Sequence, residues 1–149
     1  MSPTAHRRLA MMLAAAWLGT LLSIGLLAAP SAFKVLDRQA AGALVARLFA
    51  LEAPLSLLLA LGVLLLERWR FRAEGLAVTV SLPILLALAA LFCTVAGYYA
   101  LQPLMDQARA GQGSWSFAQL HAVSLMLYGC KVVAVGWLAW EASRDIKPS

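Results

Sequence analysis

Charge is what this sequence has least of. Asp, Glu, Lys and Arg make up 13% of the 149 residues, against roughly 25% in an ordinary globular chain, so most of the surface is not built for water. Cysteine is nearly missing: Cys93 and Cys130 are the only two, and both fall inside hydrophobic runs, which excludes an extracellular disulfide framework. Histidine also occurs twice, as His6 and His121. The sequence has no Gly-rich phosphate loop, no zinc-type spacing and no nucleophile-base constellation, so none of the chemistries those motifs carry is indicated. The ten-residue polar-apolar alternation of barrel strands is missing too, which leaves helices as the means of crossing a bilayer.

What is present is hydrocarbon. Hydrophobic residues are 62% of the chain, gathered in four Leu/Ala-rich runs long enough to cross a ~30 Å hydrocarbon core at ~1.5 Å per residue. The predicted spans are Leu9–Ala29, Ala43–Leu66, Leu76–Leu101 and Phe117–Trp140. Pro30 is expected to stop the first, and Gln102-Pro103 to close the third. The connections, Pro30–Gly42, Glu67–Gly75 and Gln102–Ser116, are too short to fold alone. The expected fold is an all-α membrane protein: one domain over residues 1–149, a four-transmembrane-helix antiparallel bundle.

Lys and Arg are divided unevenly between the connections. Arg7, Arg8, Arg68, Arg70, Arg72, Arg144 and Lys147 fall on one side, and Lys34, Arg38 and Arg109 on the other. Positive loops stay cytoplasmic, so both termini are predicted cytoplasmic in a bacterial inner membrane. Trp69, Trp137 and Trp140 then mark the inner interface, and Tyr98, Tyr99 and Trp115 the outer one. Arg68, Arg70 and Arg72 sit in a short loop between two spans, where they suit lipid headgroups rather than nucleic acid. The first run is longer than the 7–15 apolar residues of a signal peptide and reads as a retained span.

Charges within the spans each need an explanation, because one costs ~2.5 to 3.5 kcal/mol at the bilayer centre on insertion scales. Arg47 is near the outer end of its span and can snorkel. Lys131 lies 14 residues from one end of the fourth run and nine from the other, too deep to snorkel, at a depth close to that of Glu52 in the second. The two are expected to form an interhelical ion pair. Pro54 and Pro83 would each free a carbonyl, that of Ala50 and that of Thr79, and kink their helices. Ala15, Gly19 and Ser23 form a small-residue stripe suited either to packing within the chain or to a dimer seam.

His121 is the candidate cofactor ligand; His6 lies on the opposite side, so one chain cannot offer both to a single haem. Cys93, Met126 and Cys130 are soft donors suited to Cu(I), with core packing as the alternative. Phe33, Tyr98, Trp115 and His121, with Ser124, are expected to gather as an outer polar-aromatic rim.

Several short apolar motifs carry a resemblance: Trp17-Leu18-Gly19, Pro30-Ser31-Ala32-Phe33, Ala41-Gly42, Phe49 and Leu120-His121-Ala122-Val123-Ser124. From Leu13 to about Trp140 the chain resembles the bacterial membrane proteins of domain of unknown function 4149, similar to transmembrane protein 205. The resemblance implies a four-helix membrane protein without an assigned reaction. A more distant likeness is to the copper-resistance D-type and haem-binding protoporphyrinogen-oxidase membrane proteins, from which this chain departs in lacking a second membrane histidine. The expected function is that of a non-enzymatic accessory or small-solute/metal-tolerance factor, alone with lipid, as a homo-oligomer or in a larger membrane complex. No cofactor is predicted. The alternative is a haem- or quinone-linked oxidoreductase subunit using His121, with haem or copper as the possible cofactors.

Overall fold

A computed structural model describes residues 3–75 and 80–144. Among these the regular elements are all helical, and four helices are long and apolar enough to cross a membrane: Ala5–Val35, Arg38–Ala73, Leu82–Arg109 and Phe117–Arg144. Main-chain packing runs in a ring, first helix on second, second on third, third on fourth and fourth on first. The second and fourth helices therefore face each other across the diagonal of the bundle. The chain is a multi-pass membrane protein.

The helices outrun the hydrophobic stretches. The second has 36 residues, about 54 Å at ~1.5 Å per residue, well over the ~30 Å hydrocarbon core. Only Leu36 and Asp37 separate the first two helices, not the longer Pro30–Gly42 connection expected. The stop is a cap: Asp37 turns extended, and its carboxylate accepts from the backbone N–H groups of Gln39 and Ala40 at 3.0 and 2.9 Å.

Proline does not end the first and third helices, because each widens just ahead of it. Ser23–Ala28 and Val95–Ala100 are π-helical turns, and the residues four before Pro30 and Pro103, Leu26 and Tyr99, lie inside them. The wider turn moves the carbonyl that the proline ring would otherwise strike. The first helix so continues to Val35 and the third to Arg109.

At the other end of the third helix the expectation is corrected in the opposite sense. Helix begins at Leu82, with Ser81 as its N-cap, and Val80 and Ser81 are not helical. Pro83 thus sits in the first turn, where its missing N–H costs no bond, and makes no mid-span kink. Leu76 to Thr79, where the third span was expected to begin, and Lys147 lie outside the described residues.

The third helix closes on Gly111 at φ +73°, with Gly111 N–H donating to Ala108 O at 3.2 Å and Gln112 N–H to Gln107 O at 2.9 Å. The fourth opens with a reciprocal box: Gln119 N–H donates to Ser116 Oγ, and Ser116 N–H to Gln119 Oε1.

Alanine lets the helices approach closely. Ala14, Ala60, Ala87, Ala90 and Ala134 come from all four, and Trp17, Leu21, Val63, Val135 and Leu138 fill the space between. Ala14, Trp17 and Leu21 make the buried face of the first helix. Ala15, Gly19 and Ser23 are exposed, so the small-residue stripe does not serve packing within the chain.

Candidate functional site

The second helix buries one line of residues: Glu52, Ser56, Ala60, Val63 and Glu67. Their three- and four-residue spacing is that of a single helical face, with a carboxylate at each end. Two polar centres grow from those ends.

The first lies within the membrane span. Lys131 Nζ donates to Glu52 Oε1 at 2.8 Å and to Oε2 at 2.9 Å, bridging the diagonal between the second and fourth helices. A long side chain from each suits that gap. Glu52 Oε1 also accepts from the Ser56 hydroxyl, one turn along, and Ser56 Oγ in turn accepts from the Trp17 indole N–H at 2.8 Å. All four side chains are buried, Glu52 and Lys131 at 4% and 3% exposure. The donors point one way, Trp17 to Ser56 to Glu52, so each polarises the next toward the carboxylate. Lys131 also lies 5.3 Å from the centre of the Tyr128 ring, whose hydroxyl donates to Leu21 O at 2.7 Å.

The second centre lies at the end of the bundle that carries the chain termini. Glu67 Oε2 accepts from Arg70 Nη2 at 2.8 Å and from Ser81 Oγ at 3.0 Å, tying the close of the second helix to the start of the third. Beside them is a partly open cavity of about 50 Å³, lined among others by His6, Arg7, Glu67, Arg70, Pro83 and Glu141. The His6 and Trp69 rings meet nearly at right angles, with centroids 6.3 Å apart.

The family model described as "Domain of unknown function (DUF4149)" matches residues 12–114. The chain belongs to the DUF4149 family. No curated protein and no solved structure matches it. The match takes in Trp17, Glu52, Ser56 and Glu67 and ends before the fourth helix, so Lys131 and His121 lie beyond it.

The other side chains singled out in this DUF4149 protein are dispersed. Phe33, Trp115 and His121 are exposed and Tyr98 and Ser124 half-buried; among the described residues no ring contact joins Phe33, Tyr98, Trp115 and His121 to one another. Instead Tyr98 meets Tyr99, and His121 stacks on Phe117 of its own helix at 5.7 Å. Arg109 covers the same Phe117 ring at 4.7 Å. A stack of one cation and two rings at the far end therefore stands where a shared cleft was expected. Met126 and Cys130 line a shallow apolar groove with Gly129 and Trp137, open to the bundle exterior, and Cys93 is half-buried on the third helix. Arg47 is exposed on the second helix.

Sequence reading paired the two intramembrane charges but missed the rest. Ser56 follows Glu52 by four residues, and Trp17 is the one tryptophan deep in a span of the amino-terminal half; those were the available signals. Glu67 extends the same buried line as Glu52, yet at the end of a hydrophobic run it reads as loop.

Proposed function

We propose that this DUF4149 protein is a non-enzymatic accessory component of the bacterial inner membrane, a small-solute or metal-tolerance factor, with both termini in the cytoplasm. The observation that carries this reading is the closed state of the intramembrane charges. Glu52 spends its acceptors on Lys131 and Ser56, and all lie in the interior of the bundle, so the centre holds helices in register and offers no exposed acid or base. Such a clasp suits a scaffold that supports a partner or a barrier function.

The competing haem- or quinone-linked reading would use His121. That ring is exposed and stacked on Phe117, the placement of an interface residue, which favours the accessory reading. Two measurements test it together: the absorbance spectrum of protein purified from its membrane, and growth of a deletion strain across graded copper and other solute stress. A featureless visible spectrum and a growth defect restored by the intact chain are expected. A Soret band, or a deletion strain indistinguishable from its parent under every stress, would overturn the proposal.

A further inference from the structure

Two residues that line the cavity at the terminal end each carry a buried polar atom without a partner. His6 Nε2 and Arg70 Nε are both buried and have no hydrogen-bond partner among the described residues, although both side chains line the same space. A buried polar nitrogen without a partner is costly, and here two lie on side chains that line one space. Arg70 is oriented by Glu67 through its Nη2, which leaves the Nε–H as a fixed donor. The His6 ring meets Trp69 nearly at right angles. Two such nitrogens, on side chains that border a gap of about 50 Å³, suit a compact group rich in acceptor oxygens.

The charges narrow the choice. Arg7 and Arg70 bring two positive charges to the lining and Glu67 and Glu141 two negative ones, so the site is close to neutral apart from His6. Inorganic phosphate carries more than one negative charge on average near neutral pH and would meet two carboxylates. A phosphodiester carries a single negative charge and presents two free oxygens, one for each nitrogen. The depth agrees: the cavity lies where the helices leave the hydrophobic runs, beside Trp69, 53% exposed, a residue of the kind that marks the headgroup layer.

We propose that this cleft binds the phosphodiester of a phospholipid headgroup, whose oxygens accept from Arg70 Nε–H and from His6 with its proton on Nε2, making a lipid a built-in part of the terminal end of the bundle. The proposal is independent of the accessory reading above.

The test uses full-length protein stripped of lipid in detergent. Dihexanoylphosphatidylethanolamine, inorganic phosphate and dihexanoylglycerol are added separately and thermal unfolding is followed. Native mass spectrometry of protein purified without stripping counts retained phospholipid. The short-chain phospholipid should raise the unfolding temperature, while phosphate and the phosphate-free glycerolipid should not. In Arg70→Lys, which keeps a cation for Glu67 but lacks the Nε–H, and in His6→Ala, the apparent affinity should fall about tenfold or more and the retained lipid should be lost. Equal stabilisation by inorganic phosphate would make this a free-anion site. Equal stabilisation by dihexanoylglycerol would make it an acyl-chain contact. Unchanged lipid retention in both variants would remove the two nitrogens from any role; each of these results overturns the proposal.

Discussion

At the scale of single residues, the energetics of this chain centre on Glu52 and Lys131. Each charge alone in hydrocarbon is expensive, and their bond offsets a cost that neither could carry singly. Glu52→Gln leaves Lys131 buried without its counter-ion, and Lys131→Met does the same to the carboxylate. Each single change should destabilise by ~3 to 5 kcal/mol. The double variant removes both penalties and should recover most of the loss, which thermal unfolding in detergent reads as a strongly non-additive cycle. Losses that simply add would mean the two charges are accommodated separately. This pair was legible in the sequence because charge is so scarce there that two opposite charges at one depth stand out. Ser56, Trp17 and Tyr128 were not, since the sequence does not show which helices are neighbours and only the fold shows which acceptor each side chain reaches.

At the scale of elements, the third and first helices share a device. Each carries a π turn whose third residue is glycine, Gly25 and Gly97, with a proline close behind. Consecutive residues of the fourth helix fill the two positions. A Cβ at Gly25 would lie 3.0 Å from Tyr128 Cε1, and one at Gly97 would lie 3.4 Å from Leu127 Cβ. The fourth helix is thus wedged between two widened turns, with Tyr128 both packed on Gly25 and bonded to Leu21 O. Gly25→Val should cost ~1 to 3 kcal/mol as an overpacking change, whereas Gly19→Val, with nothing within 4 Å of its Cβ, serves as the neutral control. Equal unfolding temperatures for the two variants would show that the wedge does not hold the helices together. Proline was misread here for a physical reason. The sequence shows the ring and the missing N–H but not the π turn ahead of each proline, which makes room for the ring so that the helix continues.

At the scale of the whole molecule, hydropathy located four spans because apolar length answers directly to bilayer thickness, but it stops reporting once a helix leaves the hydrocarbon. Caps then decide the ends, as Asp37, Ser81 and Ser116 do. Those projecting ends carry the charge asymmetry that governs orientation. Arg7, Arg8, Arg68, Arg70, Arg72 and Arg144 stand at the end with the chain termini, and Lys34, Arg38 and Arg109 at the other. Because basic segments resist translocation, the terminal end is proposed to face the cytoplasm and Arg109 the periplasm. Both thiols of the chain are free, so Cys93→Ala and Cys130→Ala give a background in which Arg72→Cys and Arg109→Cys can be labelled singly in intact cells. Arg72 and Arg109 are both exposed, so access depends on the side of the membrane and not on packing. A membrane-impermeant maleimide should modify position 109 in whole cells and position 72 only after the membrane is opened. Labelling of position 72 in whole cells would invert the orientation, and with it would move the lipid cleft beside His6 and Arg70 to the opposite leaflet.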